Sequence, residues 1–274
     1  DGFRAYLRLK LRTVMRQEDL KEQCCADVER SIVKKFRKEI WRPFTKAINE
    51  YELIKDGDKI AVCISGGKDS MLMAKLFQEL ERHGRKNFEV VFLVMNPGYN
   101  EDNWKIIQDN AKVLGIPLTV FETQIFDTVA DIDKNPCYLC ARMRRGYLYN
   151  FAKSLGCNKI ALGHHMDDIL ETLLMNITYQ GAFSSMPPRL VMKKFDMTII
   201  RPMCLVHEAD LMELAQVRGY RKQVKNCPYE SQSSRSAMKG ILKQLEEMNP
   251  EARYSLWGSM TNVQEELLPA IINH

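Results

Sequence analysis

The hexapeptide SGGKDS at positions 65–70 carries the clearest chemical pattern in the chain, and it directly follows the apolar run IAVCI. Such a run predicts a buried strand, and the MLMAKL that comes next predicts a helix with Asp69 and Ser70 as cap residues. A strand, a glycine turn and a helix N-terminus form an anion site, because glycine lets backbone N–H groups approach a phosphate and the helix dipole favours negative charge. Lys68 adds a mobile cation. We therefore predict that phosphate is bound by Ser65, Gly66, Gly67, Lys68, Asp69 and Ser70.

This phosphate loop differs from two common nucleotide-binding patterns. Walker A requires glycine at the position of Val62 and Ser or Thr at the position of Asp69, and no G-x-G-x-x-G follows the strand. The hexapeptide instead resembles the PP-loop of ATP pyrophosphatases, enzymes that split ATP between its α- and β-phosphates. An ordinary glycine turn is the alternative, and the complete hexapeptide after a buried strand argues against it.

A second pattern is the C-x-x-C pair of Cys137 and Cys140. The pair is followed by three arginines, Arg142, Arg144 and Arg145. A C-x-x-C at a helix start places both sulfur atoms on one side and stabilises thiolates. Cys227 is the third cysteine of interest. Three interpretations stay open here: a thioredoxin-like redox pair, a zinc site, which normally has four ligands, and a 4Fe–4S cluster with three thiolates and one open iron.

The segment GHHMDD also lies where a predicted strand leads into a helix, so we expect it to face the same crevice as the phosphate loop. Asp167 and Asp168 are candidates to hold Mg²⁺ on the phosphates, because that ion prefers carboxylate and phosphate oxygens. The alternative is that one aspartate caps the helix and the other is solvated. Gly163 and His164 are predicted to contact the nucleotide or to pack locally. We include Asn96, the last residue of another predicted strand, among the cofactor-binding residues.

The elements that would position these residues alternate between strand and helix. Apolar runs predict strands at 60–64, 89–96, 117–123, 159–162 and 197–202, and helices at 102–114 and 148–155. This alternation predicts an α/β fold with a doubly wound, mostly parallel five-stranded sheet. Ligands bind such sheets at the carboxyl ends of the strands.

The first 50 residues are basic, with 13 Lys and Arg against 8 Asp and Glu, a surplus equal to the net charge of +5 for the whole chain. Apolar residues recur there every four positions, at Val28, Ile32, Phe36, Ile40, Phe44 and Ile48. This spacing predicts an amphipathic helix, which Pro43 is expected to kink. Basic residues fill the other faces. The pattern is typical of a nucleic-acid-binding surface, and a merely solvated helix face is the alternative.

Composition bounds the class of protein. The 274 residues are 45% hydrophobic and 27% charged, enough for one large core or a domain with an appendage. No apolar run approaches membrane-spanning length and no signal-peptide pattern is present, so we expect a soluble, cytoplasmic protein. Eight irregularly spaced cysteines argue against a secreted disulfide scaffold and favour metal-binding or catalytic thiols.

Taken together and in this order, the motifs resemble the tRNA 2-thiocytidine synthetase family, the TtcA type, of PP-loop ATP pyrophosphatases. The resemblance extends from Lys59 to Tyr229 and includes the phosphate loop, the C-x-x-C with its arginines, GHHMDDILETLLMN, MPP, IRP and Cys227. We accordingly divide the chain into a basic helical extension at 1–55, a PP-loop domain at 56–230 and a helical segment at 231–274.

The resemblance implies an ATP-dependent tRNA sulfurtransferase that releases AMP and pyrophosphate. ATP would adenylate the C2 oxygen of cytidine 32 in the anticodon loop, and sulfur carried by a 4Fe–4S cluster would displace AMP to give 2-thiocytidine. By the same resemblance, the cluster ligands are Cys137, Cys140 and Cys227. Catalytic roles are expected for Lys68, Asp69, Arg144 and Asp168.

The expected cofactors are therefore ATP, Mg²⁺ and a 4Fe–4S cluster. The expected partners are tRNA, which the basic N-terminal helix would bind, and a sulfur donor such as a cysteine desulfurase. We expect no membrane association, and a homodimer is the assembly to test. Three alternatives remain. A 2-thiouridine synthetase of the same superfamily would usually carry zinc-binding C-x-x-C pairs at both ends. A tRNA-lysidine synthetase shares the PP-loop but would not need the cysteines, and a non-catalytic redox sensor would bind ATP and a cluster.

Overall fold

In this computed structural model the described residues are 25–126, 136–217, 220 and 234–269. The described strands are β1 (Lys59–Ile64), β2 (Glu89–Asn96), β3 (Leu118–Glu122), β4 (Lys159–Ala161), β5 (Arg189–Met192) and β6 (Met197–Ile200). They form one sheet in the order β3–β2–β1–β4–β6–β5. Since β1 pairs in parallel with both β2 and β4, its carboxyl end lies at the middle of the sheet edge.

Helices connect these strands in the alternation that was predicted. Besides an α-helical stretch at 25–30, the described α-helices are α1 (Arg42–Glu50), α2 (Lys68–His83), α3 (Glu101–Val113), α4 (Pro136–Ser154), α5 (Met166–Met175), α6 (Glu208–Val217), α7 (Ser234–Met248) and α8 (Ala252–Ser259). Short 3₁₀ segments occupy Lys193–Phe195 and Glu265–Leu267, and a π segment at Asn176–Gln180 follows α5. None of the helices in the described part of the chain is both long and apolar enough to cross a membrane.

The predicted α/β fold with its mostly parallel sheet is confirmed, and the sheet has one strand more than the five predicted. The additional strand, β5, pairs antiparallel with β6 at the edge of the sheet. Its residues are mostly exposed and it begins with Arg189, so it contains no run of buried apolar residues. Parallel strands covered on both faces produce such runs, whereas an exposed antiparallel edge strand does not.

One face of the sheet is covered by α4. The rings of Phe121 on β3 and Phe151 on α4 stack with their centroids 4.3 Å apart. Leu93, Ala152 and Ile160 are completely buried in the same core cluster. This core holds in place the helix that begins with the C-x-x-C pair.

The N-terminal segment is not a regular α-helix. Residues 25–30 are α-helical, and two π-helical segments, Ser31–Lys35 and Arg37–Trp41, lead into α1. In an α-helix each step of four residues advances about 40° beyond a full turn, so a stripe with that spacing would spiral off one face. The wider π turns, with i→i+5 bonding, offset this drift. All six apolar residues of the predicted stripe are at most 3% exposed.

The interruption of helical geometry therefore lies before the position at which a kink was expected. Pro43 is in the first turn of α1. The π segment that precedes α1 ends at Trp41, and a kink at Pro43 stays a prediction.

A buried lysine on α2 anchors the N-terminal segment. The Nζ atom of Lys75 lies 2.7 Å from Glu29 Oε1, 3.3 Å from Cys25 Sγ and 3.0 Å from the carbonyl of Leu114. Burial alone would raise the pKa of Glu29, but hydrogen bonds and charges from Lys75 and Arg82 outweigh it and lower that pKa. The segment is thereby joined to the helix that follows the phosphate loop.

The chain divides into two compact units. The first comprises residues 1–165 and 188–226 and contains the sheet. The second comprises residues 166–187 and 227–274, and within it α5 packs against α7 and α8.

Candidate active site

The phosphate loop has the geometry of an anion-binding turn. Helix α2 begins at Lys68, three residues before the predicted start, and Gly67 is its N-cap residue. Asp69 and Ser70 lie in the first turn, so the prediction that they cap the helix is wrong. Gly66 has φ = +84°, in the left-handed region where a side chain would be strained. The N–H groups that begin α2 therefore emerge at this turn, where a phosphate can accept from them.

Two serines hold the shape of this loop. Ser70 Oγ accepts from the N–H of Ser65 at 3.1 Å and donates to the carbonyl of Gly67 at 2.9 Å. The two hydroxyl oxygens are 3.2 Å apart. Because both hydroxyls bond within the loop, their contribution is to fix the backbone that would meet a phosphate.

Lys68 forms ion pairs beside the loop. Its Nζ atom lies 2.9 Å from Asp69 Oδ1 and 3.8 Å from an oxygen of Glu208, the first residue of α6. An incoming phosphate would compete with these carboxylates for the ammonium group. Glu208 was not predicted as a site residue, since a glutamate at a helix start is already explained by the helix dipole.

Tyr220 is a second residue of the site that sequence reasoning missed. Its hydroxyl donates a hydrogen bond to the carbonyl of Gly66, from a position 154 residues further along the chain. Burial raises the pKa of this phenol, and the charge of Asp69 raises it further. The hydroxyl therefore remains a proton donor at neutral pH. A lone tyrosine in a polar stretch carries no local signal of such a contact.

The segment after β4 meets the phosphate loop at Gly163. A Cβ atom on this glycine would lie 3.3 Å from the backbone N and Cα atoms of Ser70, so the absence of a side chain permits the close approach. β1 and β4 are parallel neighbours, and both loops leave the same edge of the sheet. Gly163 and the phosphate loop are thus brought together.

His164 is oriented by a buried arginine. Arg201 donates from Nε to His164 Nδ1 at 3.3 Å. Arg201 is only 6% exposed, and burial lowers the pKa of its guanidinium below the usual value. With Nδ1 acting as the acceptor, the neutral imidazole carries its proton on Nε2, which becomes a donor. A nucleotide contact by His164 stays a prediction.

Asp167 and Asp168 are paired with arginines inside the second unit. Arg235 Nη1 lies 3.4 Å from Asp168 Oδ1, and Arg253 Nη1 is hydrogen-bonded to Asp167 Oδ1. A role in Mg²⁺ binding stays a prediction for either aspartate. For Asp168 it would require the carboxylate to exchange Arg235 for the ion. Neither arginine was singled out as a site residue from the sequence.

Helix α4 begins at Pro136 and carries both positions of the C-x-x-C pair near its start. Cys140 is half-buried and packs against the core of the first unit. The side chain of Cys137 and the whole of Cys227 lie outside the described residues, so the three-cysteine ligand set stays a prediction. Within the described residues, no three His, Cys, Asp or Glu side chains are grouped as metal ligands would be.

Arg144 is the half-buried member of the three arginines on α4. Its Nη2 atom lies 3.4 Å from the hydroxyl of Tyr99 in the loop after β2, whereas Arg142 and Arg145 are exposed. Asn96 Oδ1 accepts from the N–H of Tyr99 at 2.9 Å. Asn96 thus shapes the loop that contacts Arg144, and its contact with a nucleotide stays a prediction.

Burial favours the protonated thiol at three further cysteines of the first unit. Burial raises the pKa of Cys63 and of Cys157, and it raises the pKa of Cys204 to about 12. Metal ligation requires a thiolate. These three positions are therefore poorly suited to bind a metal.

Comparison with known protein families matches residues 36–245 to the PP-loop domain. The tRNA-cytidine(32) 2-sulfurtransferase of Syntrophotalea carbinolica is 38% identical over 224 residues, covering 80% of this chain and 86% of that protein. The protein of the same name from Chromohalobacter salexigens is 36% identical over 236 residues, covering 84% of this chain and 82% of the relative.

A solved structure with the same fold is the U34-tRNA thiolase NcsA from Methanococcus maripaludis, determined with its [4Fe-4S] cluster. The TM-score is 0.66 at 24% identity, and the match covers 85% of this chain and 80% of that one. At this identity the likeness supports the fold alone. The domain match and the extended identity to curated relatives identify the chain as a member of the tRNA 2-thiocytidine synthetase (TtcA-type) family of PP-loop sulfurtransferases.

Proposed function

We propose that this protein is an ATP-dependent tRNA sulfurtransferase that converts cytidine 32 of the anticodon loop to 2-thiocytidine, with release of AMP and pyrophosphate. The observation that carries the proposal is the phosphate loop. Gly66 in the left-handed conformation and the N-terminus of α2 form an anion site at the carboxyl end of the central strand. The activity named for the relatives at 38% and 36% identity supports the choice of substrate.

The activation step requires stabilisation of negative charge. The C2 oxygen of the cytidine attacks the α-phosphorus of ATP, and pyrophosphate leaves. Sulfur then replaces that oxygen, which departs as part of AMP. The N–H groups at the start of α2 and the ammonium of Lys68 neutralise the leaving pyrophosphate, once Lys68 exchanges Asp69 for phosphate oxygens. Arg144 and the Nε2–H of His164 are further donors on the first unit.

The cysteines fit the cluster in their chemistry. Cys137, Cys140 and Cys227 would hold a 4Fe–4S cluster, which supplies the sulfur when bound. Cys140 is half-buried, and Arg142, Arg144 and Arg145 follow it on α4. Thiolates are the usual protein ligands of such clusters.

The N-terminal segment supports tRNA as the substrate. Its apolar stripe is buried, and its basic side chains Arg30, Lys34, Lys35, Arg37, Lys38 and Arg42 are exposed. Cations directed outward from a packed helix are suited to the phosphate backbone of RNA. Mg²⁺ at Asp168, a cysteine desulfurase as the sulfur donor and a homodimer are further parts of the proposal.

The proposal is tested with anaerobically purified protein, Mg-ATP, sulfide and an unmodified tRNA transcript. We expect 2-thiocytidine by nucleoside mass spectrometry, with an equal amount of AMP. Lys68→Ala is expected to slow AMP release by roughly a hundredfold or more, the usual loss for a charge-stabilising contact. Asp168→Ala is expected to slow it as well, because it removes the proposed Mg²⁺ ligand. Lys105→Ala, on the exposed face of α3, is the control and should retain the parental rate.

Three results would count against the proposal. Parental AMP release by both Lys68→Ala and Asp168→Ala would place the ATP site elsewhere. Formation of 2-thiouridine would show that the substrate is a uridine, as in the 2-thiouridine synthetases of the same superfamily. Binding of ATP without AMP release in the presence of tRNA would favour the redox sensor.

A further inference from the structure

A pocket of about 270 Å³ lies between the N-terminal helical segment and the end of α2. Its walls are mainly apolar and include Trp41, Ile48, Leu80 and Phe88. The volume is near the lower end of the roughly 300–1,000 Å³ typical of ligand pockets, which suits a small planar group. None of the described residues that line it belongs to the candidate active site.

The two aromatic rings of the pocket are held in place by neighbouring rings. Trp41 packs on Phe44 with centroids 6.0 Å apart, and Phe88 packs edge-on against Phe77 at 6.5 Å. Trp41 and Phe88 are each only partly buried, so part of each ring faces solvent. Fixed, partly exposed aromatic rings are platforms on which nucleobases stack.

The rim of the pocket is cationic. Arg85 is exposed, and Lys86, which also lines the pocket, donates from Nζ to the carbonyl of Ile54 at 2.7 Å. His83 lies 3.5 Å from Glu79, and Arg85 is the exposed Lys or Arg among the described residues that line the pocket. Of the described residues lining the pocket, none is acidic. A flat apolar interior with a cationic rim matches a nucleobase that carries a phosphate.

The pocket continues the basic face of the N-terminal segment. Arg37 and Lys38 are exposed in the turn before Trp41, and Arg42 is exposed directly after it. Trp41 also ends the second π-helical segment, a rare geometry that is frequent at functional sites. An RNA backbone that follows these cations would reach the pocket.

We propose that this pocket binds one unstacked nucleobase of a single-stranded RNA segment, stacked between Trp41 and Phe88, with an adjoining phosphate on Arg85. The inference rests on the proposed function for the identity of the RNA, a tRNA, and it adds a contact separate from the phosphate loop. Bases of a duplex remain stacked on one another, so double-stranded RNA does not fill the pocket.

The fluorescence of Trp41 reports occupation of the pocket. In a background of Trp104→Phe and Trp257→Phe, we expect a single-stranded ten-nucleotide RNA to quench this fluorescence in the absence of ATP. A blunt duplex of the same length should leave the fluorescence unchanged at concentrations at which the single strand saturates the protein. Trp41→Leu is expected to weaken single-strand binding by roughly 5- to 150-fold, the range of base–aromatic stacking. Trp41→Phe keeps a stacking ring and should stay within a few-fold of the parent.

The rim is tested separately with Arg85→Gln. It is expected to lower affinity for the single strand and to reduce the dependence of affinity on salt by about one counterion. The matched control is Arg189→Gln, which removes the same charge from the exposed edge strand β5. Thermal unfolding of each variant checks that the fold is kept.

Two results would overturn the inference: equal quenching by single strand and duplex, or parental affinity in folded Trp41→Leu. Because quenching is measured without ATP, it does not depend on thiolation. Thiolation of tRNA with no change in Trp41 fluorescence would refute nucleobase binding in the pocket and leave the proposed function standing. Quenching by the single strand without thiolation would refute the proposed function and retain the pocket as an RNA site.

Discussion

At the scale of single residues, Tyr220 fixes a peptide that the phosphate loop depends on. Gly66 adopts a left-handed conformation, and the hydroxyl of Tyr220 donates to its carbonyl. This bond orients the peptide that leads into the N-terminus of α2. The contact thus acts on ATP through the backbone and not through the ligand itself.

Tyr220→Phe is therefore expected to weaken the binding of a non-hydrolysable ATP analogue with Mg²⁺. A net hydrogen bond contributes about 0.5–1.5 kcal/mol, so the dissociation constant should rise roughly 2- to 10-fold. Isothermal titration calorimetry measures the change. Tyr179→Phe is the control, since Tyr179 is 64% exposed in the second unit. Unchanged affinity in Tyr220→Phe would mean that Gly66 keeps its conformation without this bond.

Site residues that are close together in the sequence were predicted, and those that act through distant contacts were not. The six consecutive loop residues were recognisable because their chemistry and their strand–turn–helix context are local. Glu208, Tyr220 and Arg201 were not singled out as site residues. Each acts through a contact with a residue far away in the sequence. Arg201 lies in the recognised IRP motif, but that motif does not predict its contact with His164.

At the scale of elements, a buried ion pair joins the start of β4 to the turn before β1. Lys159 Nζ lies 2.7 Å from Asp58 Oδ2, Asn158 Nδ2 donates to Oδ1 at 2.8 Å, and both side chains of the pair are 6% exposed. Burial alone would raise the pKa of Asp58, but hydrogen bonds from Lys159, the backbone N–H of Lys55 and Asn158 lower it. The ion pair thus fixes the position of β4, which leads to Gly163, relative to β1, which leads to the phosphate loop.

Asp58→Asn would leave Lys159 buried without its counter-ion. We expect it to lower the free energy of unfolding at pH 7 by about 3–5 kcal/mol, measured by urea denaturation. The matched control is Asp196→Asn, which removes the partner of Lys153 where the aspartate side chain is 92% exposed. That substitution should change the free energy by less than about 1 kcal/mol.

The same pair predicts a dependence on pH. The pKa of Asp58 is lower in the folded state, so its contribution is complete above the unfolded value of about 3.9 and is lost as the pH falls through the folded value. The difference in stability between the parent and Asp58→Asn should therefore shrink below about pH 4. A difference that stays constant from pH 7 to pH 3 would contradict this account.

A strand or helix was predicted correctly where its buried residues form a recognisable apolar pattern in the sequence. β1 and β2 are continuous apolar runs, and both were expected where they occur. Helix α4 runs from Pro136 to Ser154, so it includes both the helix start expected at the C-x-x-C pair and the helix expected at 148–155. The residues between them carry arginines without apolar periodicity, so the sequence did not predict one continuous helix. The period of four in the N-terminal stripe was recognised as helical. That the segment mixes α and π turns became clear only from the backbone of the structure.

At the scale of the whole molecule, the proposed cluster draws on distant parts of the chain. Cys137, Cys140 and Cys227 are each expected to be essential, since three thiolates leave one iron open whereas two would not retain the cluster. Alanine at any of these positions should abolish the visible absorbance of the anaerobically reconstituted protein and the formation of thiolated cytidine. ATP binding should persist.

The controls for this prediction are the three cysteines whose pKa is raised by burial. Alanine at Cys63, Cys157 or Cys204 should leave iron and sulfide content unchanged, measured per folded protein. Stoichiometric zinc without iron in the parent, or normal thiolation by Cys227→Ala, would refute the cluster assignment.

The discontinuity of the second unit has a consequence during synthesis. Helix α5 leaves the ribosome before β5 and β6, and its packing partner α7 begins only at Ser234. At roughly 5–20 residues per second, the intervening stretch of about 60 residues takes several seconds to translate. In that interval the strands of the first unit can begin to pair, whereas α7, which packs against α5, has not yet been synthesised. In a nascent chain arrested before Ser234, α5 would lack the helix that packs against it, and we expect chaperones to bind its apolar residues.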